Sequence, residues 1–204
     1  MNSWLISQLR RIRRSVETTL QYSGKSGMVR RYFFTNGFDG AMSMLGIVLG
    51  TSLFGGANTL TVATAGLGAS LAMFISGFMG TYVTESAENK RRIRELNEVM
   101  LTDMEGTVVG ESGRVGAIVA GLLQGLGALI FAVAVLTPYL VSIHLPPLAE
   151  HALPASLASG LFVLFVLGLA LGRLTRQGIL ITGLKMAAVG GVTSVLIILI
   201  DLVL

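Results

Sequence analysis

The chain has no cysteine among its 204 residues. That excludes disulfides, thiolate metal ligands and a cysteine nucleophile. Charge is scarce as well: 13% of residues are Asp, Glu, Lys or Arg against 52% hydrophobic. This balance is too apolar for a water-covered surface and natural where lipid covers the outside. Neither an HExxH zinc-ligand pattern nor a GxSxG nucleophile elbow occurs. The two histidines, His144 and His151, fall in a connecting stretch beside Pro146, Pro147 and Pro154, so an enzyme is not expected. Three stretches also lack Lys and Arg entirely: 55–59, 138–152 and everything after Lys185.

What is present is a set of five long apolar runs, roughly 37–54, 60–83, 115–137, 153–172 and 179–203. Each is close to the ~20 residues that cross a bilayer's hydrocarbon core. The expected fold is all-α: a five-transmembrane-helix bundle, with a basic N-terminal segment at 1–36, helices 1 and 2 at 37–83, an acidic helical segment at 84–114 and helices 3 to 5 at 115–204. The 15 basic residues then fall on one side. Arg10, Arg11, Arg13, Arg14, Lys25, Arg30 and Arg31 precede the first run; Lys90, Arg91, Arg92, Arg94 and Arg114 lie between the second and third; Arg173, Arg176 and Lys185 surround the start of the fifth. Excess Lys and Arg mark cytoplasmic loops, which puts the N-terminus inside and the C-terminus outside a cell inner membrane or an organelle membrane. The same placement explains the basic pI without nucleic acid as a partner.

Trp4, Leu5, Leu9, Ile12, Val16 and Leu20 recur at three-to-four-residue spacing, with the arginines mostly elsewhere on the wheel. This is the pattern of an amphipathic helix lying on the cytoplasmic leaflet, or of a basic leader that sets orientation. It is too long for the n-region of a cleavable signal peptide, so the first span is expected to stay. Gly24, Ser26 and Gly27 break the pattern before the first span. Small residues line the spans at four-residue spacing: Gly46 and Gly50; Ala72, Ser76 and Gly80; Ala117, Gly121 and Gly125; Gly168 and Gly172; Gly183, Ala187 and Gly191. Such stripes let helices approach closely in lipid, within one chain or between two. Gln124, Asn58 and the threonines of the second span are read as interhelical hydrogen-bonders.

Polar groups in spans are costly, so they point to function. Asp39, in Gly37-Phe38-Asp39-Gly40, is the one carboxylate on the cytoplasmic half of a span. A charge at the bilayer centre costs about 3 kcal/mol on insertion scales. Asp39 is either a pathway carboxylate or a helix N-terminal residue favoured by the dipole. Asp201 marks the outer water boundary, and Lys185 is close enough to the cytoplasmic end to snorkel. A second group of acids is cytoplasmic. Past Glu85 the second helix is expected to continue, bringing Glu88, Glu95 and Glu98 within about 80° of one another. Glu105, Glu111, Asp103, Met100 and Met104 follow. Carboxylates with nearby thioethers suit Mn²⁺ or Fe²⁺. Glu88–Arg92, Arg91–Glu95 and Arg94–Glu98 are equally the i,i+4 pairs of a solvated helix.

Three features together resemble the vacuolar iron transporter family: Asp39-Gly40 opening a Gly-rich first span, the run Ile75 to Tyr82 closing the second, and Glu85-Ser86-Ala87-Glu88 starting an acidic cytoplasmic helix. The layout of spans over residues 30 to 204 is also similar. The resemblance implies a homodimer that moves Fe²⁺, and often Mn²⁺, out of the cytosol in exchange for protons, the metal being cargo and no other cofactor being required. It implies a pathway role for Asp39 and metal loading by Glu88, Glu95 and Glu98, with Glu85 and Glu105 alongside. The family's second-span Met position falls on Gly77, so Met73 one turn earlier, Met79 two residues later and Met42 and Met44 on the first span are the candidate thioethers. A non-transporting membrane scaffold or assembly factor is the alternative, and it has no need of Asp39 or of clustered glutamates.

Overall fold

The structure is a computed structural model that describes residues 26–54, 58–103, 107–176 and 178–203. The proposed amphipathic segment around Leu5 to Leu20 and Glu105 lie outside the described residues. Among the described residues five α-helices follow one another: α1 Ser26–Leu53, α2 Thr59–Met100, α3 Val108–His144, α4 Ala152–Leu174 and α5 Ile179–Val203, with a 3-10 turn at Pro146–His151 before α4. No strand occurs among the described residues. The apolar parts of α2, α3, α4 and α5 are long and apolar enough to cross a membrane. The protein is therefore a multi-pass, all-helical membrane protein.

Helix α1 is not among those four. Arg30, Arg31, Thr35, Asn36, Asp39 and Ser43 dilute its apolar content. It is nevertheless the central helix, in contact with each of the other four. Ala41, Met44, Leu45 and Val48 form the middle of the core with Val62, Ala132, Val135, Leu136, Tyr139 and Leu164. Protein surrounds the apolar side of α1, whereas of these polar residues only Asn36 is partly covered and the other five are exposed on the single protomer.

The helix ends differ from expectation in physically legible ways. α1 starts at Ser26, eleven residues before its apolar run, because Phe33 docks edge-on to Phe131 of α3 at 5.6 Å between ring centroids and holds the polar turns against the bundle. The chain break expected at Gly24 to Gly27 therefore does not extend past Ser26. The stretch 138–152, expected to be a loop, is instead the last turns of α3 plus a 3-10 turn. α3 runs through Pro138, which cannot donate to the carbonyl of Ala134. Ser159 of α4 donates to that carbonyl at 2.9 Å, replacing the missing bond from a neighbouring helix. Asn58 is not an interhelical bonder but the N-cap of α2, accepting from the Thr61 amide at 2.9 Å. Thr64 and Thr84 likewise bond back to carbonyls of their own helix.

The small-residue stripes divide into two groups. A methyl on Gly121 or Gly125 would come 2.7 Å from the Phe78 carbonyl oxygen or 2.6 Å from that of Phe74, so these glycines are what lets α3 lie against α2. Gly168 meets Gly183 in the same way between α4 and α5. Around Gly46, Gly50, Gly80 and Gly191 there is open space within the protomer.

Candidate functional site

Asp39 lies near the middle of α1, thirteen residues from its start, and no acidic residue occupies the first turn. The helix-dipole account of Asp39 is thereby corrected, since that effect fades within one turn of the terminus. Thr35, Asp39 and Ser43 are exposed on the single protomer. With Gly46 and Gly50 they fall within about 80° of one another at 100° per residue, one polar and small-residue face along α1. On α2, Gly68, Ala72, Ser76, Met79 and Val83 are exposed. The same arithmetic puts them on one face as well.

The candidate thioethers separate on this basis. Met79 is 47% exposed and stands on the open face of α2. Met42 and Met73 are half-buried and pack against the core.

The acids that follow the second apolar run are distributed along one helix. α2 continues past the apolar run to Met100 and stops where Leu101 turns left-handed at φ 54°. Glu88, Glu95 and Glu98 are exposed on this extension. Of the three i,i+4 pairs only Arg91–Glu95 forms, at 3.0 Å with both side chains in solvent. The bond to Glu95, then the charges of Glu88 and Glu95, hold the Arg91 guanidinium above its ordinary value. Among the described residues, no three His, Asp or Glu side chains converge as a set that would hold a metal. Glu111 is exposed in the first turn of α3, where the helix dipole favours it. His144 ends α3 and His151 ends the 3-10 turn, both exposed. Asp201 is half-buried near the end of α5, and Lys185 is exposed.

Glu85 behaves differently from the other glutamates. It is 5% exposed and accepts a hydrogen bond from the Tyr32 hydroxyl at 3.0 Å, joining α1 to α2. One turn further along α1, Asn36 donates to the Gln124 carbonyl of α3 at 2.9 Å. Tyr32 and Asn36 were not legible as ties in the sequence, because their partners are 53 and 88 positions away. Burial first, then the Glu85 carboxylate, raise the Tyr32 phenol above the usual tyrosine value. The contribution of this bond is thus complete at neutral pH and is lost only as the pH climbs above about 10. Tyr32→Phe is expected to lower the free energy of unfolding by about 1.5–3 kcal/mol, the range for a hydrogen bond to a charged group, read from thermal unfolding in detergent.

No family model matches the chain. It is similar to an uncharacterized protein of Methanocaldococcus jannaschii, 26% identical over 182 residues that span 87% of this chain and 91% of that protein.

Proposed function

We propose that the protein is a divalent-metal transporter of the vacuolar iron transporter type, exporting Fe²⁺ or Mn²⁺ from the cytosol in exchange for protons. The observation that carries this reading is Asp39. It is a carboxylate in the middle of a helix that runs through the bundle, on a face that no other described part of the protomer covers. Facing lipid, an ionised Asp costs about 3 kcal/mol, so that face belongs against water or another protein surface. In this reading α1 is a fifth span and the N-terminus is cytosolic. Two copies of the chain meet along the open faces of α1 and α2, where Gly46 and Gly50 permit close approach.

A metal path between copies draws ligands from both, which accords with the lack of a three-residue cluster among the described residues of one. Asp39 and the exposed thioether of Met79 supply oxygen and sulfur of a kind that suits Fe²⁺ and Mn²⁺. A proton and a metal ion compete for the same carboxylate, and alternating access turns that competition into exchange. Glu88, Glu95 and Glu98 gather cations at the cytosolic entrance, with the Arg91–Glu95 pair opening as metal binds; solvent screening leaves an exposed pair of this kind easy to open. The test is flux into liposomes holding the purified protein. Fe²⁺ or Mn²⁺ uptake is expected to accelerate when the lumen is acidified, with protons leaving as metal enters. Protein that is folded and dimeric yet moves no metal under either gradient overturns the reading and favours the scaffold.

A further inference from the structure

A cavity of about 300 Å³ lies between the cytoplasmic extension of α2 and the first turns of α3. Tyr82, Ser86, Asn89 and Lys90 line it from α2, and Gly110 and Arg114 from α3. No carboxylate is in this lining among the described residues. Glu85 is turned inward to Tyr32, while Glu88 and Glu111 are exposed and outside the cavity wall.

Lys90 and Arg114 form no ion pair with a described residue, whereas Arg91, one position along, does. Tyr82, Ser86 and Asn89 make no hydrogen bond through their side chains to any described residue. Two cations, Lys90 and Arg114, therefore line one space with the neutral Tyr82, Ser86 and Asn89, and no described carboxylate shares that lining. The start of α3 adds to this. The first intrahelical bond among the described residues is from the Glu111 amide to the Thr107 carbonyl at 3.0 Å. The amides before Glu111, including that of Gly110 in the cavity wall, have no intrahelical acceptor.

The space is about ten times the share of one water in the liquid. It has room for a phosphate with its glycerol. Tyr82 closes the apolar part of α2, and Lys90 is eight residues further, about 12 Å at 1.5 Å per residue. The headgroup layer on each side of the hydrocarbon core is roughly 5–7 Å thick. The cavity thus begins at the hydrocarbon edge and spans the layer in which lipid phosphates reside.

We infer that this cavity binds a phosphate-bearing anion, the headgroup of an anionic phospholipid of the cytoplasmic leaflet, through Lys90 and Arg114. The inference rests on the protein spanning a membrane and not on what it transports.

The test uses delipidated full-length protein in neutral detergent, with thermal unfolding followed during separate titrations of phosphatidylglycerol, phosphatidylcholine and inorganic phosphate. Phosphatidylglycerol is expected to raise the unfolding temperature and phosphatidylcholine to leave it in place. Lys90→Gln with Arg114→Gln is expected to weaken the apparent affinity for phosphatidylglycerol at least about tenfold. Arg92→Gln with Arg94→Gln removes the same charge from exposed positions outside the cavity and is expected to leave the affinity unchanged. Where the first double variant fails to fold, Lys90→Gln and Arg114→Gln are read singly. Equal loss in both double variants, or no loss in either, overturns the site. Protection by inorganic phosphate with none from phosphatidylglycerol overturns the lipid as its source.

Discussion

Asp39→Asn protein, reconstituted beside wild type, is expected to lose proton-driven metal flux by at least about 100-fold, since loss of a group that merely supports a metal ligand already costs up to that much. The amide matches the carboxylate in shape but has no proton to lose and no charge to offer a cation. Folding should be little affected, because the exposed Asp39 side chain has no hydrogen-bond or ion-pair partner whose loss would orphan a buried group. Asp201→Asn, near the C-terminal end of α5, is the matched control and should transport at close to the wild-type rate. The informative comparison is flux with and without a pH difference across the liposome. If the Asn variant still couples metal to protons at the wild-type rate, Asp39 is a structural residue, and the transporter reading loses its main support.

The second large effect is on the fold. Gly121→Ala with Gly125→Ala puts two methyl groups into the backbone of α2, at Phe78 and Phe74, on the most extensive helix contact of the bundle. Overpacking of this kind costs about 1–3 kcal/mol per site, and here the obstructing atoms are carbonyl oxygens that no rotamer change can move aside. The double variant is expected to aggregate in detergent, or to unfold well below wild type. Gly46→Leu with Gly50→Leu should behave in the opposite way. Open space surrounds both positions, so the protomer keeps its stability while self-association, measured by light scattering, is lost. Unchanged association in that variant would move the proposed contact between copies off the open face of α1.

These contrasts also mark where sequence reading succeeds. Apolar runs of the right length located the spans of α2 to α5, because lipid imposes composition and length on any segment it surrounds. It imposes nothing on α1 where other helices cover it, so hydropathy did not report that α1 starts at Ser26. The Glu88, Glu95 and Glu98 face followed from spacing along one continuous helix, and α2 does continue to Met100. By contrast, the Tyr32–Glu85 tie depends on how two helices settle against each other, and no local spacing encodes that. The small-residue stripes were legible as stripes. Which of them met a neighbour within the chain was decided by helix rotation, and only packing fixes it. Asp39 was found by its cost in hydrocarbon, yet its distance from the helix start, which separates the two accounts of it, needed the observed N-terminus of α1.

The bond from Ser159 to the Ala134 carbonyl has a consequence for how the chain enters the bilayer. As α3 emerges alone, Pro138 leaves that carbonyl without its intrahelical N–H donor in a medium that supplies little water. In the folded bundle the donor is a hydroxyl on the helix synthesised next. α3 and α4 are thus favoured to leave the insertion machinery as a paired hairpin, and the short 3-10 turn at Pro146–His151 keeps the two helices close enough to do so. A bond that contributes modestly to the finished protein in this way sets an order on its biogenesis.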